Sequence, residues 1–307
     1  VKCAYVLSVF LIVKEAADYK IYYILTVSFV VINAVINLFY SRHFIYYSLR
    51  DIHMRPFFKP YMIMGVYSLM TNAYIMLNPV WLGFVTNTDE VGYFTTATRL
   101  HTIISAVLLS FANILFPRVS NLLAEGKQKE FWDKINIAFD AIFLFAFPTI
   151  VYMLVAGPDL LHLVVGNGFE GAYLPLRIIT PLALIIGIEQ ILVIQILMAT
   201  HQDSTVLQNS IIGAVTALIF NILLTTSLGA VGSAIVWVIV ELVVMTLSII
   251  AIYRKYNYIL PFKRVFSYCI SYTPLLLLSL LLYYNLDNTY AIISVIAVLT
   301  IVYAAIN

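Results

Sequence analysis

Long runs of apolar residues, separated by short polar linkers, dominate the pattern along this chain. A helix rises about 1.5 Å per residue, so about 20 apolar residues cover the roughly 30 Å hydrocarbon core of a bilayer. The pattern therefore predicts ten membrane-spanning helices. Their approximate bounds are residues 1–13, 20–40, 61–84, 91–117, 135–157, 172–200, 206–226, 231–253, 265–284 and 289–307.

Lysine and arginine are concentrated in alternate linkers. The linkers 41–60, 118–134 and 254–264 together hold twelve of them, whereas the opposite side holds only Lys14 and Lys20. Cytoplasmic loops of membrane proteins are enriched in positive charge, so the first set of linkers is predicted to be cytoplasmic. The alternation also supports the count of ten spans, because a missed span would scramble it.

Composition excludes a soluble protein. Of the 307 residues, 63% are hydrophobic and 10% are charged, and the mean hydropathy is +0.98, whereas soluble domains carry about 25% charged residues. Cys3 and Cys269 lie far apart in apolar runs, with no spacing typical of a metal or redox site. The chain begins inside an apolar run without the order of residues found in a signal peptide, so we expect its beginning to be missing.

Arg99 is the most unusual residue within the predicted spans. It lies eight residues after Val91, about 12 Å along the helix, where a positive charge exposed to lipid would cost about 3 kcal/mol or more. Helical periodicity places small and polar residues on its face, including Thr95, Thr102 and Asn113. A polar face of this length predicts the wall of a water-filled cavity. The alternative is an arginine paired with a carboxylate only for packing.

Four other ionisable residues fall within the spans. Glu189 and Glu241 lie deep in theirs, where a buried carboxyl group can exchange a proton or, with neighbouring oxygens, hold Na⁺. Each could instead form an interhelical hydrogen bond or act as the counter-ion of Arg99. Asp140 and Arg177 lie close to span ends. Asp140 is a further candidate for ion coupling or a residue reaching the interface, and Arg177 is an interface anchor or substrate contact.

The seventh predicted span repeats the polar stripe in weaker form. Asn221 shares a face with Ser210, Ala214 and Thr225. This face predicts either a second part of the cavity wall or close packing of two helices through small residues.

The sequence contains no pattern that predicts an enzyme. GNGFEG (Gly166 to Gly171) matches the dinucleotide-binding letters but has no strand before it. Zinc-hydrolase, serine-hydrolase and phosphate-loop motifs are missing, and the histidines are scattered. No cofactor or metal is expected, and the basic linkers are interpreted as topological signals rather than a nucleic-acid surface.

Four phrases in this order resemble the polysaccharide flippases of the MOP exporter superfamily, which are related to the MATE exporters and the lipid II flippase. They are WLGFVTNTDEVGYFTTATRL (81–100), LFPRVSNLLAEGK (115–127), LLHLVVGNGFEGAYLPLRII (160–179) and NILLTTSLGAVGSAIVWVIVEL (221–242). The resemblance implies an all-α membrane bundle of fourteen helices, of which about ten are present. On this register residues 1–60 close a first six-helix lobe, 61–253 form the second lobe, and 254–307 add two helices.

The resemblance also implies a function. Such proteins move undecaprenyl-diphosphate-linked glycans to the outer leaflet of the bacterial inner membrane by alternating access. Arg99 would then contact the diphosphate, with Thr95, Thr102, Asn113 and Asn221 around it. Glu189, Glu241 or Asp140 would couple transport to H⁺ or Na⁺, and Arg118 or Arg177 would contact substrate or lipid. A monomer working beside other polysaccharide-assembly proteins is expected.

One departure and two alternatives accompany this resemblance. Many relatives carry an acid where Asn78 stands, so a coupling role at that position is in doubt. A drug or metabolite exporter of the same fold would need an acidic cavity rather than one centred on arginine. A membrane glycosyltransferase or polysaccharide polymerase would be expected to carry a large outward loop or an acidic metal motif, and the sequence shows neither.

Overall fold

The computed structural model describes residues 2–14, 18–42, 55–285 and 288–306, apart from some side chains, chiefly those of 107–115. Throughout these ranges the regular structure is helical. The α-helices are α1 (Lys2–Ile12), α2 (Tyr19–Ser41), α3 (Arg55–Val85), α4 (Thr88–Ala124), α5 (Gln128–Val165), α6 (Tyr173–Ile179), α7 (Leu182–Gln190), α8 (Asp203–Phe220), α9 (Thr226–Tyr256), α10 (Phe262–Asn285) and α11 (Thr289–Ile306).

The helices follow the ten predicted apolar runs, and several extend beyond them into the polar linkers. Judged by length and apolarity alone, four helical stretches among the described residues can cross a membrane, or five if one bent pair counts as a single span. The four are Lys20–Ser41, Gln128–Val165, Asp203–Tyr256 and Phe262–Asn285. This all-α arrangement agrees with the predicted membrane bundle.

The sixth predicted span is a broken helix. Its two parts, Glu170–Ile179 and Leu182–Met198, meet at an angle of 41°. Pro181 lies at the bend. Proline has no backbone N–H to donate to the preceding turn, so the helix breaks at this residue. Beyond Gln190 the helix widens into a π-helical segment, Ile191–Met198. Glu189 lies between the bend and the widened turns.

Helices α8 and α9 form a hairpin that contains two of the predicted spans. A π-helical segment, Asn221–Thr225, follows α8, and the chain reverses at Gly229, whose φ of 57° and ψ of −133° are non-helical. The Asn209 side chain donates to Ser248 Oγ across the hairpin at 3.0 Å. A positive φ carries little steric cost only for glycine, so Gly229 is required at this reversal.

The turn of this hairpin is held by the start of α4. The Glu90 carboxylate accepts the backbone N–H of Ala230 at 2.6 Å, and Asn87 caps α4 by accepting from the Glu90 N–H at 3.0 Å. Glu90 therefore links the first turn of α4 to the part of α9 that follows Gly229.

Helices α10 and α11 pack against α5. The loop that leads into α10 is fixed by Tyr258, which stacks on Trp132 at 4.5 Å and donates to Asn136 Oδ1 at 2.9 Å. Burial raises the pKa of Tyr258 to about 12, with Asp140 adding to the rise and Arg264 opposing it. The phenol therefore remains a hydrogen-bond donor throughout the neutral range.

Asp140 belongs to this same junction. Both of its carboxylate oxygens accept from Arg264 Nη1, at 2.9 and 2.7 Å, and both side chains are nearly half exposed. Asp140 thus pairs with α10 and does not line the cavity described below. Its partner lies 124 residues away in the sequence, which is why inspection of a single span did not identify it.

We predict that Trp132→Ala loosens α10 far more than Arg264→Ala does. The tryptophan also contacts Phe131 and Tyr256, and loss of a half-buried indole should cost about 2 kcal/mol, below the range for fully buried rings. An exposed ion pair contributes about 1 kcal/mol or less. Thermal unfolding of both purified variants in detergent measures the difference, and an equal or larger effect of Arg264→Ala would contradict this assignment.

The chain separates into two compact units, residues 1–56 and 57–307. Within the first, α1 and α2 pack together through Tyr5, whose hydroxyl lies 3.1 Å from Thr26 Oγ1 and whose ring meets Phe29 edge-on at 5.6 Å. The second unit contains α4 to α11 and most of α3. The finer division into lobes at residues 60 and 253 remains a prediction.

Candidate substrate cavity

A cavity of about 830 Å³ lies within the second unit, between α3, α4, α7, α8 and α9. Its wall is largely apolar and aromatic, with polar groups placed singly. The charged residues that line it are Arg99, Glu189 and Glu241. Cavities of this size and mixed character are typical of small-molecule and cofactor sites.

Helix α4 supplies polar side chains to the cavity wall. Thr95, Thr98, Arg99 and Thr102 all face the cavity. The three threonine hydroxyls donate to backbone carbonyls of the preceding turn, at 2.7, 2.9 and 2.8 Å. The hydroxyl donors are therefore satisfied within the helix, and the oxygen lone pairs remain as acceptors.

The Arg99 side chain has no hydrogen bond or ion pair with any residue in the described part of the chain. The described ion pairs are Lys127–Glu125 and Arg264–Asp140. The alternative in which Glu189 or Glu241 is simply the counter-ion of Arg99 is therefore not what the structure shows. A guanidinium group has five N–H donors in a planar fork, and here they are available to whatever enters the cavity.

The two glutamates line the same cavity although they lie 52 positions apart in the sequence. Glu241 is 4% exposed and its Oε1 accepts from Trp237 Nε1 at 2.9 Å and from the Tyr74 hydroxyl at 3.4 Å. Glu189, on α7, lines the same cavity. Tyr74 of α3 and Trp237 of α9 therefore both hold the Glu241 carboxylate in the cavity wall.

Several lining residues were not predicted from the sequence. His101 is buried in the α4 wall, 3.4 Å from Ser105 Oγ and edge-on to the Trp237 ring at 5.8 Å. Tyr74 and Asn209 also line the cavity. Their positions on the inner faces of α3, α4 and α8 follow a helical period, but scattered single residues gave no pattern strong enough to single them out.

Asn221 does not line the cavity but is buried between helices. It is fully buried and donates to Asn78 Oδ1 at 2.6 Å and to the Ala217 carbonyl at 2.8 Å. Thr225 donates to Asn221 Oδ1 at 2.8 Å and meets Ser233 at 3.3 Å. Asn221 and Thr225 therefore serve close helix packing, the alternative interpretation, whereas Ser210 on the same face lines the cavity.

The remaining predicted residues lie outside the cavity lining. Arg118 and Arg177 are exposed, at the end of α4 and on α6 respectively. The side chain of Asn113 falls outside the described residues, so its place on the wall stays a prediction. Among the described residues, His, Cys, Asp and Glu form no group of three or more that could hold a metal ion.

Comparison with known proteins gives two curated relatives. The chain is 25% identical over 169 residues to a putative O-antigen transporter of Escherichia coli (strain K12), covering 55% of this chain and 40% of the relative. It is 24% identical over 162 residues to the probable low-salt glycan biosynthesis flippase Agl15 of Haloferax volcanii, covering 53% and 34%. The chain thus spans less than half the length of either relative. No family model matches it.

A solved structure shares the fold. The lipid II flippase MurJ, in an inward closed conformation, superposes with a TM-score of 0.68 over 85% of this chain and 55% of its own, at 15% identity. The predicted resemblance to MOP-type polysaccharide flippases is confirmed by these three similarities. The chain is a multi-pass helical membrane protein, and the relatives are named as transporters, in agreement with the prediction that it is not an enzyme.

Proposed function

We propose that this protein flips undecaprenyl-diphosphate-linked oligosaccharide repeat units across the bacterial inner membrane by alternating access. The observation that carries the proposal is the free guanidinium of Arg99 on a cavity wall. The names of the relatives support transport of lipid-linked glycan at the level of the superfamily. No cofactor is invoked, and the protein acts as a monomer beside the other assembly proteins.

Arginine suits a diphosphate better than lysine does. Its planar fork donates two parallel hydrogen bonds to phosphate oxygens, and these charge-assisted bonds are about twice as strong as neutral ones. Because the Arg99 side chain has no hydrogen bond or ion pair within the described residues, the guanidinium is left to the ligand. Arg99 is therefore assigned the diphosphate contact, with Thr95 and Thr102 shaping the wall beside it.

The rest of the cavity suits the sugar and lipid portions. Tyr67, Phe94 and Trp237 present aromatic surface, which packs against the apolar faces of sugar rings or against a prenyl chain. Gln190 and Asn209 bring amide groups to the same space, and these can hydrogen-bond to hydroxyl groups. The amides, together with the hydroxyl of Tyr67, would govern which glycan is accepted.

One observation favours a second function, export of cationic drugs or metabolites. Two carboxyl groups, Glu189 and Glu241, share the cavity with Arg99, so with both ionised the cavity would carry a net negative charge. A cation would be attracted to such a cavity, as in an exporter of the same fold. The two functions therefore predict opposite ligand charges.

Transport in proteoliposomes distinguishes the two functions. The protein expressed from its intact gene is reconstituted with a fluorescent polyprenyl-diphosphate-linked disaccharide, and a membrane-impermeant reagent reports how much label reaches the accessible leaflet. We expect protein-dependent translocation that is not competed by a hydrophobic cation. Failure to translocate the lipid, combined with uptake of an ethidium-like cation, would replace the flippase proposal by the exporter.

A further inference from the structure

Asn78 lies on α3, where the cavity wall meets a buried chain of polar side chains. The residue lines the cavity and is only 2% exposed. Its Oδ1 accepts from Asn221 Nδ2 at 2.6 Å, whereas its own Nδ2 has no hydrogen-bond partner among the residues that the structure describes. A buried polar group without a partner needs an explanation. On a cavity wall, an acceptor atom of the ligand provides one.

The orientation of the Asn78 amide follows from its neighbours. The same nitrogen of Asn221 also donates to the Ala217 carbonyl oxygen at 2.8 Å. A carbonyl oxygen only accepts, so this atom of Asn221 must be the nitrogen and not the amide oxygen. The atom of Asn78 that it meets must then be the oxygen. The N–H2 group of Asn78 is therefore the part of the amide left for the cavity.

Asn221 is itself held in this orientation. Thr225 donates to Asn221 Oδ1 at 2.8 Å and lies 3.3 Å from Ser233 Oγ. Asn221, Thr225 and Ser233 are all fully buried, and the first two are the ends of the π-helical segment. Asn221 cannot turn over without losing its hydrogen bonds to Ala217, Asn78 and Thr225. The buried chain therefore fixes the Asn78 amide from behind.

The chemistry of the Asn78 N–H2 group selects a class of ligand atom. This group only donates, so its partner must accept. Phosphate oxygens accept and carry charge, and hydrogen bonds to charged groups are stronger than those to neutral ones. Asn78 lies seven residues before the end of α3 and Arg99 eleven after the start of α4, about 10 and 16 Å along the helix axes. Two donors at these depths suit a ligand with two linked phosphate groups.

We propose that the Asn78 amide is a second phosphate-binding donor of the cavity and that Asn221 is the residue that positions it. This inference rests on the proposed function and adds a further contact in the same site. It also separates the two functions considered above. A cationic ligand at Asn78 would meet the positive end of the N–H2 dipole, whereas an anionic one would be bound by it.

Calorimetric titration of the detergent-purified protein, expressed from its intact gene, with undecaprenyl diphosphate tests the contact, because this lipid carries phosphate and no sugar. Asn78→Leu is similar in size and uncharged but has no donor. We expect it to bind the lipid at least about tenfold more weakly than the wild type. Asn136→Leu is the matched control. Asn136 also accepts a hydrogen bond from a distant segment, through Tyr258, but it lies outside the cavity lining, so this variant should bind as the wild type does.

Asn221→Leu tests the positioning role. The substitution removes the donor that orients Asn78, so it should weaken binding only while Asn78 is present. Combined with Asn78→Leu it should cause no further loss of affinity, since effects that pass through a shared partner do not add. A purely structural role of Asn221 predicts instead that the two losses of affinity multiply, and that result would overturn the positioning.

The remaining outcomes separate the contact from the function. Wild type that does not bind undecaprenyl diphosphate refutes the proposed function itself. Wild type that binds it, with Asn78→Leu binding equally well, overturns the Asn78 contact. A loss seen only with glycan-bearing lipid overturns the assignment of that contact to phosphate. Should Asn78→Leu not fold, Asn78→Ala replaces it, because alanine is smaller and equally lacks a donor.

Discussion

Arg99→Ala is expected to abolish export of the lipid-linked glycan while leaving the protein folded and inserted. Loss of hydrogen bonding to a charged group costs on the order of 1.5–3 kcal/mol, which is about a 10- to 150-fold loss of ligand affinity. Complementation in cells lacking the transporter, read as surface glycan, measures the effect. Arg99→Lys should restore only part of the activity, since it keeps the charge and loses the fork.

Two controls make the Arg99 experiment specific. Arg118→Ala and Arg177→Ala remove exposed arginines outside the cavity lining, and we expect both variants to export normally. Because Arg99 has no ion pair within the described residues, its removal should also leave thermal stability in detergent unchanged. Normal export by Arg99→Ala would remove the basis for the diphosphate contact.

Gly232→Ala should be among the most destabilising single changes in the second unit. A Cβ at position 232 would lie 2.5 Å from the Leu224 carbonyl oxygen, 2.8 Å from its carbon and 2.9 Å from Thr225 Cα. All three are backbone atoms, so no side chain can move aside. We expect a loss of about 3 kcal/mol or more, measured as a lower midpoint of thermal unfolding.

The matched control for this change is Gly65→Ala. Gly65 lies in helix α3, and nothing lies within 4 Å of the Cβ that the substitution would add. Alanine there should be neutral or stabilise the helix by up to about 1 kcal/mol. Equal thermal unfolding midpoints for the two variants would show that the two arms of the α8–α9 hairpin can move apart at Gly232 without loss of stability.

The sequence was sufficient for the class of the protein and for its helices. Apolar runs of membrane length predicted the helices, and the period of small and polar residues around Arg99 predicted that Thr95 and Thr102 share its face. These inferences depend on local periodicity, which is a property of one helix at a time. The structure confirms the all-α bundle and shows that these three residues line one cavity.

Contacts between helices are what the sequence did not reveal. Tyr74 and Glu241 are 167 positions apart, and Asp140 and Arg264 are 124 apart. Nothing within either segment indicates its partner. The Asn221 stripe shows the same limit, because periodicity defines a polar face without saying whether a cavity or another helix lies opposite. The π-helical turn at 221–225 changes the direction of that face.

The hydrogen bond between Glu90 and Ala230 constrains how α4 and α9 can separate. It joins α4 to the part of α9 that follows Gly229, at the end of the cavity walls where both segments begin. Arg99 lies nine residues beyond that junction on α4, and Glu241 lies eleven residues beyond it on α9, about 14 and 16 Å along their axes. Segments pinned at one end can diverge only toward the other. We therefore expect any separation of α4 from this part of α9 to be small near Arg99 and Glu241 and largest near Ala124 and Tyr256, the far ends of the two helices.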